Sequence, residues 1–475
     1  MNRVLFLFVF FVLLTRVVAA QNNAGKVYTL QECIETAIAN NVQVKQSAVL
    51  AERAEVAWKQ SKMDLLPNLN AQVGHGINSG RSIDPFTNTY VNQRVNYANY
   101  GIGTNVVLFN GGTLRNTITQ YGLAHEAAKM ELQQLKDNIT INVMLAYLQV
   151  LNNEELLVMA KNAAAVTQKQ VERLEVLNQS GAISPPLLHD MRAQLMNDQL
   201  ASVNYQNALA TSRLTLSQLM NIPFDRSMQL ERINVDDVIY NTVASDEVYQ
   251  RAIQQLGIVR AAQLRKRSAE AALQAMRGQL FPTVALNGGF NTNYSSAAER
   301  QTLVGTTEVP SSNYVTVNGN KFPVTVQQSN YQSQRITYFD QLQNNVYRNI
   351  GVSLRLPIFN SFQTRSRIKL ARLDVKNSDL LIEGAQLQLR QEVEQAHLNM
   401  TNAFEQFTLL QQQVQEYAES FRAAEVRFNA GVGTIVEYLI AKNNLDRANN
   451  NLIVSKYDYA LRKKILDYYS GTFVK

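Results

Sequence analysis

The sequence predicts an α+β membrane protein built from two copies of one unit, each joining long helices to two β-strands. Three observations carry this prediction. They are an internal repeat over nearly the whole chain, runs of apolar/polar alternation about ten residues long, and two proline-free segments with a sustained heptad seam.

The repeat sets the organisation. With an offset of 215, CIETAIAN faces VYQRAIQQ and Leu66-Pro67 faces Phe281-Pro282. Beyond a loop of unequal length the offset becomes 250, so that Gly101 faces Gly351, Phe109-Asn110 faces Phe359-Asn360 and Gly181 faces Gly431. The 35-residue difference falls in one loop between two strands, and an insertion tolerated there marks a surface loop. The expected units are 21–221 and 245–471, with a linker at 222–244 and a tail at 472–475.

Each unit opens with a predicted helix, 29–64 and 246–279, that stops before a helix-breaking Pro. Strands are expected at 67–78 and 99–109 in the first unit, and at 282–294 and 349–359 in the second. In PNLNAQVGHGIN, Leu69, Ala71, Val73 and Ile77 fall on one face and Asn68, Asn70, Gln72 and Gly74 on the other. In NIGVSLRLPIF, Ile350, Val352, Leu354, Leu356 and Ile358 alternate with Gly351, Ser353, Arg355 and Pro357. Such a strand suits either a half-exposed sheet on a soluble core or a barrel strand with lipid on one side and water on the other. The apolar N-terminal segment and the Gly-, Asn-, Ser- and Tyr-rich loops at 79–97 and 297–344 favour the barrel.

Long helices are predicted at 113–180 and 363–430, returning through helices at 185–220 and 434–470. In the second copy the seam runs Leu389, Val393, Ala396, Met400, Ala403, Phe407 and on to Phe428 in alternating steps of four and three. The first copy carries it from Ile139, Val143, Ala146 and Val150 to Val171 and Leu174. A helix of 68 residues would be about 100 Å long, too long for one globular domain to bury. The breaks SGAISPPL and AGVGTIVEYL combine a C-terminal Gly with a following Ser or Thr cap, the chemistry of hairpin tips.

Asn110-Gly111 has the form of a two-residue β-turn, but the second copy has Ser361-Phe362 in place of Gly111-Gly112. Positive φ is poorly suited to those side chains, so both sites are expected to be helix entries with Asn110 and Asn360, or Ser361, as caps. Four strands cannot close a barrel, and open edges are not viable in lipid. Other copies of the chain must complete it, two copies giving eight strands and three giving twelve with room for a lumen.

Composition narrows the function. Charged residues make up 17%, against roughly 25% in ordinary soluble domains, and neutral polar residues fill the gap. The net charge of +7 comes without a basic stripe interleaved with aromatics, so no nucleic-acid partner is expected. Residues 1–20 read as a cleaved export signal, with Arg3, an apolar run from Val4 to Leu14, and small residues before the cut. Cys33 is the single cysteine, so no intrachain disulfide can form. His75, His125, His189 and His397 lie far apart without acids at ligand spacing; no metal, cofactor or catalytic site is expected. His75 stands where the outward face calls for an apolar residue. A periplasmic coiled-coil scaffold would account for the heptads but not for the strands.

With these features assembled, the chain resembles the TolC family of outer-membrane efflux proteins over essentially its whole length after the export signal. RFNAGVGTIVEYL at 427–439 resembles that family's second tip, with Arg427 beside an aromatic, then Gly431, Thr434 and the acid Glu437. The resemblance implies a homotrimer with a twelve-stranded barrel in the outer membrane and a twelve-helix periplasmic tunnel. Its implied partners are a periplasmic adaptor and an inner-membrane transporter, and its cargo small molecules, or exported protein in a type I secretion system. The implied adaptor contacts are Gly181, Ser184, Arg427, Gly431 and Thr434. At the periplasmic gate Glu437 matches an acid of the family, whereas Ile440 stands at a second acid and Gly433 at a base, which points to an apolar constriction at Ile440.

Overall fold

The structure is a computed structural model that describes residues 27–83, 88–92, 94–232 and 243–471. The expected export signal at 1–20, the tail at 472–475 and the linker segment 233–242 lie outside the described residues.

In chain order the elements of the first half are β1 (Val27–Tyr28), α1 (Leu30–Asn40), α2 (Val42–Met63), β2 (Asn68–Asn78), β3 (Arg81–Ile83), β4 (Tyr90–Asn92), β5 (Val95–Phe109), α3 (Thr113–Gln179), α4 (Pro185–Met220) and β6 (Gln229–Leu230). The second half has α5 (Ser245–Gln255), α6 (Gly257–Gly278), β7 (Thr283–Ser295), β8 (Glu299–Val317), β9 (Asn320–Arg335), α7 (Tyr338–Asn344), β10 (Tyr347–Arg355), α8 (Gln363–Asn429) and α9 (Ile435–Ser470). The chain divides into two compact units. A helical unit takes residues up to 56, 122–268 and those from 374 on, and a sheet unit takes 57–121 and 269–373.

In the helical unit the heptad positions form the core: Val143 and Val150, like Val393, are fully buried, and Leu389, Met400 and Ala403 nearly so. Tyr147 organises one cluster, its hydroxyl 2.7 Å from the Glu231 carbonyl and 3.2 Å from that of Tyr28. That pins the parallel β1–β6 pair, which the sequence reading missed, onto α3. Burial pushes the Tyr147 phenol well above its ordinary range. Cys33 is buried in the same cluster. His125 is buried elsewhere, its Nδ1 3.3 Å from the Ala51 carbonyl, while His397 lies 3.1 Å from the Val243 carbonyl and His189 is exposed.

Both opening helices, expected to be continuous, are broken. Asn41 is extended, and its Oδ1 accepts from the amides of Gln43 and Val44, so it ends α1 and caps α2 in one residue. Leu256 is extended in the other copy, and Gly257 follows because a Cβ there would meet the Met130 carbonyl oxygen at 2.8 Å. Periodicity does not register such a break, because the apolar pattern resumes on the same face after it.

The sheet unit holds a four-stranded antiparallel sheet in the order β10-β7-β5-β2. Cross-strand partners share a face, and the register sorts most of them by polarity, with Thr104, Thr292 and Arg348 as exceptions on the apolar side. Leu69, Val73, Ile102, Leu286, Ile350 and Val352 lie on one face, and Asn70, Gln72, Asn99, Asn287, Asn291 and Ser353 on the other. His75 is on the apolar face, opposite Ala98. The apolar face has no cover from the described residues over much of its extent: Ile350 is 80% exposed and Val352 67%.

Three expectations are corrected here. The strand expected to reach 359 ends at Arg355, because Pro357 has no N–H to continue a ladder. The long loop expected at 297–344 is a β8–β9 hairpin, turning at Asn318-Gly319 with positive φ at both residues, followed by α7. Within 79–97, β3 pairs with β4.

A fourth correction concerns the helix entries. Ser361 and Phe362 do adopt positive φ, 53° and 59°, matching Gly111 and Gly112 at 64° and 79°. The carbonyls of Gly112 and Phe362 accept the first helical bonds, from Asn116 at 3.0 Å and Ser366 at 2.9 Å. Asn110 and Asn360 brace that turn from two residues upstream, through Leu114 N and Thr364 Oγ1. The Phe362 ring packs edge-on against Phe359 at 5.6 Å, one contact available to offset the left-handed backbone.

Candidate functional site: the paired hairpin tips

Two helical hairpins, α3–α4 and α8–α9, turn at one end of the helical unit, and their tips carry all the candidate residues. Both reversals use the same backbone device. Gly181, at φ 74°, donates to the Asn178 carbonyl at 3.0 Å and Ala182 to Leu177 at 2.9 Å. Gly431, at φ 75°, donates to Phe428 at 3.1 Å and Val432 to Arg427 at 3.1 Å. The left-handed residue returns the chain while satisfying the last helical carbonyls, which is why a glycine sits there.

The restarts differ. Ser184 precedes Pro185 and makes no side-chain cap. Thr434 accepts from the Glu437 amide at 3.2 Å. Proline at the first helical turn removes an N–H that would otherwise lack a partner, so less capping is needed in the first tip. Gly433 has its own reason: a Cβ would come 3.0 Å from Phe428 N and 3.1 Å from the carbonyl carbon of Arg427. The base that the resemblance puts at this position would crowd the turn.

Beneath the turns, Val171, Leu174, Leu188, Met191 and Ile435 pack around a fully buried Tyr438. Its ring stacks on Phe428 at 5.0 Å and leans on Phe421 at 5.5 Å. The Tyr438 hydroxyl has no hydrogen-bond partner among the described residues. Burial first, then the fields of Glu425, Asp446 and Asp198, push the phenol up to about 12. Arg173 joins the hairpins by donating to Asn429 Oδ1 and, at 3.2 Å, to the Asn429 carbonyl.

The structure therefore brings Gly181, Ser184, Arg427, Gly431 and Thr434 to one exposed end. Arg427 pairs with Glu437 at 3.3 Å, both exposed, and Ile440 is 58% exposed on α9. Farther along α9 lies a group the sequence reading missed. Lys442, 3% exposed, pairs with Asp198 at 3.0 Å and Asp446 at 2.6 Å. Asp198 also accepts from Gln194 at 2.7 Å and from Thr167. Lys442 and Asp198 are 244 positions apart, so only a lysine at a core position of the helix hinted at the pair. Among the described residues no cluster of three or more His, Cys, Asp or Glu is arranged to hold a metal ion, and no helix is long and apolar enough to cross a membrane.

Comparison with known proteins fits this geometry. The profile of the family described as outer membrane efflux protein matches residues 33–221 and 248–472. The outer membrane protein TolC of Vibrio cholerae is 22% identical over 432 residues, covering 91% of this chain and 88% of its own. TolC of Escherichia coli matches over 114 residues at 25% identity, 24% of this chain and 23% of its own. Among solved structures CusC has a TM-score of 0.72 at 15% identity, covering 93% of this chain and 91% of its own. VceC of Vibrio cholerae gives 0.72 at 14%, covering 93% and 96%. The open-state MtrE outer membrane channel of Neisseria gonorrhoeae gives 0.71 at 16%, covering 93% and 88%. At such identities the likeness to solved structures concerns the fold.

Proposed function

Because the chain belongs to the outer membrane efflux protein family and is a protein of the outer membrane, we propose that it is the passive exit duct of a tripartite pump for small molecules. The carrying observation is the four-stranded sheet, apolar on one face and Asn-, Gly- and Ser-rich on the other, with open edges at β2 and β10. In lipid those edges must be paired. Three copies would close a twelve-stranded barrel wide enough for a lumen, with the polar faces turned inward. The two repeats, 21–221 and 245–471, would each supply half of a protomer's strands and helices.

Gly181, Ser184, Arg427, Gly431 and Thr434 are the proposed contacts to a periplasmic adaptor that connects to an inner-membrane transporter. Their exposure supports this, since a docking surface must be free in the isolated chain. At the gate, Glu437 is already paired with Arg427 of its own tip, and Ile440 supplies an apolar constriction. Planar-bilayer recording of the purified protein tests both proposals. The duct reading expects a discrete channel whose conductance and cation block change in the Ile440→Asp variant. No channel from a membrane-inserted protein would count against the duct, and an unchanged Ile440→Asp channel against the constriction.

A further inference from the structure

We propose that the helix-side ends of the strands in the sheet unit form a basic collar that binds the anionic headgroups of phospholipid in the adjoining leaflet. This rests on the barrel reading above. The segments flanking the strands on that side, 57–67, 110–121, 269–282 and 356–373, hold eight Lys or Arg against two Asp or Glu, a net charge of +6. The segments at the other end of the strands, 79–94 and 296–346, hold five against four, a net charge of +1. The sheet thus separates a strongly basic end from a nearly neutral one.

Six of the bases, Arg115, Arg277, Arg365, Arg367, Lys369 and Arg372, are exposed, and none is ion-paired among the described residues. Arg365, Lys369 and Arg372 follow at helical steps of four and three, so they form one stripe on α8. Arg115 is the first copy's counterpart of Arg365 in the 250 offset. What commits the collar to lipid, and not to a soluble anion, is the band beside it. Ile358 is 94% exposed, Phe359 74%, Phe362 57%, Phe281 55% and Phe109 49%. Large rings at the end of an apolar strand face are suited to the headgroup boundary, and bases just beyond them reach phosphate. Arg365 lies 5.5 Å from the Phe362 ring centre, which joins band to collar.

The test uses the full chain in nanodiscs of phosphatidylcholine alone or mixed equally with phosphatidylglycerol, with native mass spectrometry of the lipids retained after release. Each base near an anionic surface adds roughly fivefold to binding at low salt. Wild type should retain phosphatidylglycerol at least about tenfold over phosphatidylcholine, less so as salt rises. The R365Q/K369Q/R372Q variant should lose most of that preference, while K321Q/R335Q on the opposite end keeps it. Equal retention of the two lipids by wild type, or an unchanged preference in the triple variant, would overturn the collar. So would displacement by inorganic phosphate beyond that by chloride at matched ionic strength, which would mean a free-anion site. Failure to enter even neutral nanodiscs would instead sink the barrel reading, and the collar with it.

Discussion

A valine at position 143 or 393 is fully buried, and one at position 352 is 67% exposed. The first two sit in the helical unit, which covers its seam with its own helices. The third sits in the sheet unit, where β10 turns its apolar residues outward with nothing among the described residues to cover them. The helical unit buries its seam on its own helices yet leaves Val176 (66%) and Leu409 (65%) exposed on its outside, whereas β10 leaves even its regular apolar positions exposed. An apolar face of this size left to water would be an aggregation site, which is the reason the sheet is proposed to face lipid.

The strongest blow to the helical unit is expected at its buried ion cluster. Lys442→Ala leaves Asp198, which is 8% exposed, without its cation. Breaking a buried pair costs about 3–5 kcal/mol, to be read as a lower midpoint in denaturant unfolding of the detergent-solubilised protein. A midpoint within error of wild type would show that the cluster contributes nothing. Next in size is a contrast on one strand. Val352→Arg places a cation on the lipid face at a cost of about 2–4 kcal/mol near the membrane centre, whereas Ser353→Arg places it on the polar face at little cost. The yield of membrane-inserted protein should fall for the first and hold for the second. Equal effects would erase the distinction between the faces.

How much of this could be read beforehand depends on the range of the interaction. The heptad seam, the alternation of Val352 with Ser353, and the tip glycines are local patterns, and they were legible residue by residue. At Ser361 and Phe362 propensity argues against the positive φ they adopt, because it does not include the packing of Phe362 on Phe359 that accompanies it. The β8–β9 hairpin reads as a loop on its Gly, Asn and Ser, although Val and Thr together outnumber them there and Asn318-Gly319 marks its turn. The Lys442–Asp198 pair needed two helices to be brought together. Among the candidate site residues, the turn chemistry of Gly181, Gly431 and Thr434 was visible, while the Arg427–Glu437 pair and the steric need for Gly433 were not.

Smaller effects sharpen the comparison within the tips. Thr434→Ala removes a cap bond worth about 1 kcal/mol, whereas Ser184→Ala removes none and should be nearly silent in the same unfolding assay. If both variants lose equal stability, the asymmetry between the tips is wrong. Tyr438 gives a pH signature with a definite sign. Its phenol is raised to about 12 in the fold, above an unfolded value of about 10. The unfolded chain therefore releases this proton first, and stability should fall as pH rises from about 10 toward 12. Tyr438→Phe should flatten that fall, and an unchanged profile would mean the ring is not shielded.

The central claim is that the exposed apolar sheet is one third of a shared membrane barrel. It is tested most directly by the native mass and heat-modifiable mobility of the protein extracted from outer membranes in mild detergent. The account predicts a membrane-embedded species of three chains that runs as a compact oligomer until boiled. A soluble monomer in the periplasmic fraction would contradict it, because the faces of β2 and β10 would then have neither lipid nor a partner.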